Sequence, residues 1–251
     1  MIEILILSFI QGVTEFLPVS SSSHLILVSD YINFEEHNLS IDVSLHIGSF
    51  LAVILYFHKD ILNFLKNKYL FLKIFISSAP VMIIGFFLVK LGLIEKLRSL
   101  EIIAWTTIIF GILLYISDRF SLDKDLNKNF SLKSAIIIGS FQVLSLVPGV
   151  SRSGIAITAA RLLNFKRVDS AKISFLLSIP ILGGVSFFGL KNLVTLNDGF
   201  LIKLNLLSIL FSFIFSLLTI KYFLKYINKF NLNLFVYYRI LLGLFLLYLT
   251  L

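Results

Sequence analysis

The chain has 251 residues, of which 58% are apolar and 14% charged, with a net charge of +8. Charge is about half as frequent as in a soluble domain, and several runs of roughly 18–22 residues are almost free of it, the length that crosses a bilayer core. A separate soluble domain is excluded. The absence of cysteine excludes disulfides, thiolate catalysis and cysteine-based metal sites.

The basic residues fall in short loops between apolar runs. They read as a topology signal and headgroup contacts, not as a nucleic-acid surface. The first Lys or Arg is Lys59. The N-terminus therefore lacks the positive region of a signal peptide, and the first segment is expected to stay in the mature protein.

Ten helical pieces are expected, in one transmembrane domain over 1–251. The first runs from Ile2 to Leu17 and is broken by Pro18 and a serine run; a short piece follows from Ser22 to Ile32. Neither spans well, so the two predict a hairpin that enters the membrane and returns. Such a break must be buried in protein or line a wet cavity. Asp42–Phe57 is the next span, followed by a basic loop to Tyr69. Leu70–Leu91 spans with Pro80 inside, where a kink is expected. Ile102–Ser117 spans again and carries Trp105 near one end.

After the charged stretch 118–133 the opening pattern returns. Leu132–Val147 is broken by Pro148-Gly-Val-Ser-Arg-Ser-Gly154, and Ile155–Leu163 is short again. Ala171–Leu190 (with Pro180 inside), Leu204–Phe223 and Leu234–Leu251 complete the chain. Gln11 precedes Pro18 as Gln142 precedes Pro148, and counting on from each proline pairs Ser21 with Ser151 and Ser23 with Ser153. Paired broken segments of this kind mark duplicated membrane folds. The expected fold is an all-α polytopic membrane protein with two broken re-entrant hairpins, in two inverted repeats over about 1–118 and 131–251. With single crossings elsewhere, the loops near 58–69, 118–133, 164–170 and 224–233 share one side and carry most Lys and Arg, including Lys59, Lys66, Arg119, Lys166 and Lys225. That side is expected to be cytoplasmic. The other side holds chiefly Lys96, Arg98, Lys191 and Lys203. The two hairpin tips then meet inside the membrane.

The chemistry sits in the two breaks. Gln11 and Glu15 are four apart and share a helix face. They suit either a hard cation or an interhelical hydrogen bond. Ser20 to His24 suit a helix N-cap, and a helix N-terminus favours phosphate. The same residues read as capping alone, or as a hydroxyl and an imidazole that attack phosphorus and move a proton. In the second break, Gly149 and Gly154 permit close backbone approach, and Ser151 and Ser153 are donors. Arg152 is a fork for phosphate oxygens, or a salt-bridge partner of Glu15. Asp42 and His46 are expected to face the same cavity, with Asp30 and Gln142 behind. His37 and His58 read as loop residues, and Tyr238 and Arg239 as the start of the last helix.

The stretch Gln11, Glu15, Phe16-Leu-Pro-Val-Ser-Ser21 and His24, with Pro148-Gly-Val-Ser-Arg-Ser-Gly154, resembles the undecaprenyl-diphosphate phosphatase family, also called bacitracin-resistance proteins. Leu45-His-Ile-Gly-Ser-Phe-Leu-Ala-Val53, Phe175-Leu-Leu-Ser-Ile-Pro180 and Tyr238-Arg-Ile-Leu-Leu-Gly243 extend the resemblance along the whole chain. Ser22-Ser23 stands where the family often has Thr-Gly, and Gln11 gives up one negative charge that Glu would supply.

The resemblance implies hydrolysis of undecaprenyl diphosphate to the monophosphate, which recycles the lipid carrier of cell-wall synthesis. It implies Mg²⁺ or Ca²⁺ on Gln11 and Glu15, and a site facing the outer leaflet of a bacterial inner membrane. The implied catalytic set is Glu15, Ser21, His24 and Arg152. Ser22, Gly149, Ser151, Ser153 and Gly154 are the implied substrate contacts. Ser21 attacks with His24 as base, or His24 attacks directly. Expected partners are the lipid substrate and the bilayer, with a homodimer compatible and no nucleic acid. A polyprenyl-phosphate transporter or flippase is the competing class, because broken inverted repeats are a transporter signature.

Overall fold

The computed structural model describes residues 1–32, 38–66, 68–93, 97–120, 124–194 and 198–250, with backbone alone at 29–32, 63–66 and 191–194. Asp30 and His37, and the charge markers Lys66, Lys96 and Lys191, thus lie outside the described side chains.

Twelve α-helices form among the described residues. They are α1 (Ile2–Thr14), α2 (Ser21–Ile32), α3 (Leu39–Tyr56), α4 (His58–Lys66), α5 (Lys68–Lys90), α6 (Leu100–Ser117), α7 (Leu126–Asn129), α8 (Leu132–Gln142), α9 (Arg152–Leu162), α10 (Arg167–Val194), α11 (Gly199–Ile227) and α12 (Asn233–Thr250). A 3₁₀ turn, Val143–Leu146, prolongs α8. Six helices, α3, α5, α6, α10, α11 and α12, are long and apolar enough to cross a bilayer. The chain is an all-α, multi-pass membrane protein. The long helices carry Phe and Leu on their exposed faces, such as Phe86, Phe187 and Leu241, as surfaces bathed in lipid require.

The expectation of ten pieces fell short by α4 and α7. Both lie in charged stretches read as loops, and both are amphipathic: Ile61 of α4 packs on the core, and Leu126 of α7 is buried. Helix starts fall on polar caps. Asn38 accepts from Ser40 and Ile41 at the head of α3, Ser99 from Ile102 at α6, and Ser131 from Ser134 at α8. Pro80 and Pro180 sit inside α5 and α10, which continue through them.

Packing follows one rule at both broken helices. The short broken helix α1 lies on α11, and α8 lies on α5. Each contact is made at a glycine: a Cβ on Gly12 would fall 2.9 Å from Ser216 N, and one on Gly139 would fall 2.9 Å from Ser77 Cα. Close approach through small residues is how helices associate without a hydrophobic drive. Serines reinforce it, with Ser49 Oγ at 2.9 Å from Ser216 Oγ and Ser44 Oγ donating to Asn205 Oδ1 at 2.8 Å between α3 and α11. The α3–α10 and α6–α12 pairs complete the bundle.

Beneath the breaks the core is aromatic. Phe175 of α10 meets Phe16, Phe57 and Phe223, with centroids 5.2, 6.2 and 6.0 Å away. At one end of the bundle Asp118 pairs with Arg161 at 3.0 Å and Arg167 at 2.8 Å, and accepts from Leu232 N at 3.1 Å. This knot fastens α6, α9, α10 and the start of α12 together.

Candidate active site

In the first break α1 ends at Thr14, and the chain turns through Glu15–Val19 before α2 begins at Ser21. Pro18 supplies no N–H and cannot continue the helix. Ser20 then adopts φ +76°. In the second break the 3₁₀ turn ends at Leu146, Gly149 takes φ +91° and Ser151 φ +70°. Only three described non-glycine residues have positive φ, and two of them are these serines. A serine held there costs about 1–3 kcal/mol, a strain found mostly at functional sites.

The two serines are the residues just before α2 and α9. Counting from the prolines pairs Ser21 with Ser151, whereas the shared backbone conformation is that of Ser20 and Ser151. Ser21 and Arg152 are the first residues of α2 and α9, and both reach one carboxylate. Glu15 Oε2 accepts from Ser21 Oγ at 2.6 Å and Gln11 Nε2 at 3.1 Å. Glu15 Oε1 pairs with Arg152 Nη2 at 2.8 Å. Glu15 is buried, and the pairing joins residues 137 apart in sequence. Gln11 Nε2 also reaches His46 Nδ1 at 2.9 Å, so that His46 nitrogen is an acceptor.

Glu15, Ser21, His46 and Arg152 line a cavity of about 770 Å³, a volume typical of small-ligand sites. Its polar wall holds Glu15, Ser20–Ser22, Asp42, His46, Arg98, Ser145, Ser151 and Arg152. Its apolar wall includes Leu25, Ile26, Val81, Ile181 and Val185. Leu39 and Val185, both on the lining, are also exposed on the outer surface. The cavity thus has a charged floor and a greasy flank.

The other expected residues take different places. His24 is not against Ser21. Its Nδ1 lies 2.6 Å from the Ser20 carbonyl, which can only accept, so Nδ1 carries the proton. Its Nε2 meets Tyr238 OH at 2.5 Å, with the two rings stacked. Ser153 Oγ donates to the Leu17 carbonyl at 2.6 Å, tying the second break to the first. Ser151 Oγ caps Gly154 N at 3.1 Å. Gly149 packs on α6, where a Cβ would collide with Thr106 Oγ1 and the Ile103 carbonyl, and a Cβ on Gly154 would crowd Arg239. Gln142 leaves the site and donates to the Ser77 carbonyl at 3.3 Å. His58 is exposed on α4.

Among the described residues no three His, Cys, Asp or Glu side chains gather to form a cation cage. One oxygen does fit a hard cation: Gln11 Oε1 is buried with no hydrogen-bond partner there. Mg²⁺ characteristically takes one or two protein ligands and completes its shell with substrate phosphates and water. Gln11 and Glu15 suit that mode.

The family model described as bacitracin resistance protein BacA matches this chain over residues 4–245. An undecaprenyl-diphosphatase of Pelagibacter ubique is 50% identical over 249 residues, covering 98% of this chain and 96% of that protein. Proteins of the same name from Saccharophagus degradans and Alteromonas mediterranea are 42% and 40% identical, covering 94% and 96% of this chain and 93% and 95% of their own. With the match running nearly end to end and through both breaks, the chain belongs to the bacitracin resistance protein BacA family.

Proposed function

We propose that this chain is an integral-membrane phosphatase that hydrolyses undecaprenyl diphosphate to undecaprenyl phosphate and inorganic phosphate. The observation that carries the reading is Glu15, which holds a hydroxyl from one break and a guanidinium from the other. The relatives' name supports the substrate. The cavity suits it too, with a polar floor for a diphosphate and an apolar flank for the first isoprene units.

In this mechanism the diphosphate docks on Arg152 and on the N–H groups that open α2 and α9. The phosphate then competes with Glu15 for Arg152, and Glu15 is free to take the Ser21 proton. Ser21 Oγ attacks the terminal phosphorus. The bond to the bridging oxygen breaks and undecaprenyl phosphate leaves with that oxygen. Glu15 passes its proton to the departing phosphate oxygen and then takes one from water, which attacks the phosphoserine. The bond from phosphorus to Ser21 Oγ breaks, inorganic phosphate departs and Ser21 Oγ recovers a proton from Glu15. Gln11 and Glu15 would hold a divalent cation, Mg²⁺ or Ca²⁺, which when bound neutralises phosphoryl charge. His24, held by the Ser20 carbonyl and Tyr238, stands beside this path and steadies the start of α2.

The reading places the protein in a bacterial inner membrane with the cavity facing the outer leaflet. It makes residues 1–118 and 131–251 inverted repeats, consistent with α1 on α11 and α8 on α5. The reaction recycles the carrier lipid of peptidoglycan synthesis, and a faster supply of that lipid gives resistance to bacitracin. A flippase needs Arg152 and polar backbone but no Ser21–Glu15 pair, so the pair favours the phosphatase.

The test is phosphate release from farnesyl diphosphate by the purified chain in detergent, with added Mg²⁺ or Ca²⁺ and with EDTA. Release with metal, suppressed by EDTA, is expected. No release under any metal condition contradicts the reading.

A further inference from the structure

Glu15 joins the side chains of the two breaks from the cavity. Behind them, on the side away from it, a second residue joins their backbones. Arg239 of α12 is fully buried. Its Nη1 donates to the Pro18 carbonyl at 3.2 Å and the Val150 carbonyl at 3.1 Å, and its Nη2 donates to the Gly149 carbonyl at 2.8 Å. Its Nε donates to the Thr107 carbonyl of α6 at 3.2 Å. Among the described residues it makes no ion pair. Charged side chains inside a membrane are accommodated by pairing with one another or with backbone carbonyls, and Arg239 is spent wholly on carbonyls.

Three of these carbonyls belong to the turns just before Ser21 and Arg152. Those turns have left the helical ladder, so their carbonyls need outside donors. Only a planar fork with five N–H groups can serve both turns at once. The surroundings are cut to fit it. A Cβ on Gly154 would lie 2.9 Å from Nη1, and a Cβ on Gly111 of α6 would lie 3.1 Å from Arg239 Cβ. The neighbouring Tyr238 adds the contact to His24.

We propose that Arg239 is a positioning residue for the reaction: it locks the turns of both breaks to α12 and so fixes Ser21 and Arg152 against each other. It touches no substrate and acts through the placement of those two groups. The kinetic part of this inference rests on the phosphatase reading; the geometric part does not.

The chain has no cysteine, so a labelled pair can be introduced cleanly. Ser22→Cys and Ser145→Cys place one spin label on each break, both on the cavity lining. Dipolar EPR on the full chain in nanodiscs should give a narrow distance distribution. Adding Arg239→Lys, which keeps the charge but cannot bridge both turns, should broaden or split it. In unlabelled protein the same substitution should lower kcat on farnesyl diphosphate about 100-fold, as a misplacement of about 1 Å does. KM should change little. An unchanged distribution with unchanged kcat overturns the proposal. If Arg239→Lys does not fold, Gly111→Val decides: it pushes the Arg239 stem from α6 without touching either break, and the same broadening is expected. A parent protein that releases no phosphate sinks the phosphatase reading while the distance measurement still judges Arg239.

Discussion

At the scale of single residues, Glu15 sets the character of the site. It is buried, and its two oxygens are shared among Ser21, Gln11 and Arg152. Glu15→Gln leaves Arg152 without its counter-charge, and breaking such a pair costs about 3–5 kcal/mol. A lower melting temperature in detergent and lost phosphate release are expected together. Arg152→Lys keeps the charge but loses the fork; with farnesyl diphosphate, kcat/KM should fall about 100-fold, the effect of losing one donor to the developing charge. Most of these residues were legible in the sequence, because polar groups inside apolar helices stand out. Their partners were less so. Ser21 and His24 are near neighbours in sequence and suggested a nucleophile and its base, yet the His24 ring turns to Tyr238, 214 residues away. From the sequence, Arg239 reads only as a residue at the start of the last helix. Its signal was available: an arginine in an apolar stretch with no acidic neighbour needs a buried partner, here the carbonyls of both breaks.

At the scale of elements, two broken helices are held in register by small residues on one side and aromatic rings on the other. Phe175 is the hub, touching the first break through Phe16, α3's end through Phe57 and α11 through Phe223. Phe175→Ala should cost about 3 kcal/mol by leaving a cavity that lipid cannot fill. Thermal unfolding in detergent measures it, and KM for farnesyl diphosphate should stay near the parental value at a temperature where the variant is folded. The breaks and spans could be read from proline, serine runs and charge-free lengths. Two features could not. The amphipathic helices α4 and α7 hide in charged stretches where polarity masks a short apolar face. The positive φ shared by Ser20 and Ser151 is a matter of backbone conformation that spacing from proline does not give, because the second turn is one residue longer.

At the scale of the whole molecule, the distribution of charge gives the expected orientation. The stretches around Lys59, Lys128, Lys166 and Lys225 are expected on the cytoplasmic side and the cavity on the other. In intact cells, a single cysteine at Asn38, next to the cavity's Leu39, should react with a membrane-impermeant maleimide, and one at Lys128 only after permeabilisation. The opposite pattern would reverse the assignment. The central claim, that two breaks joined at Glu15 form a phosphatase whose nucleophile is Ser21, has one direct test: release of inorganic phosphate from undecaprenyl diphosphate by the purified chain and by its Ser21→Ala variant under identical metal conditions. The account predicts steady release by the parent and a loss of at least about 1,000-fold in the variant. Equal release by the two proteins would contradict it.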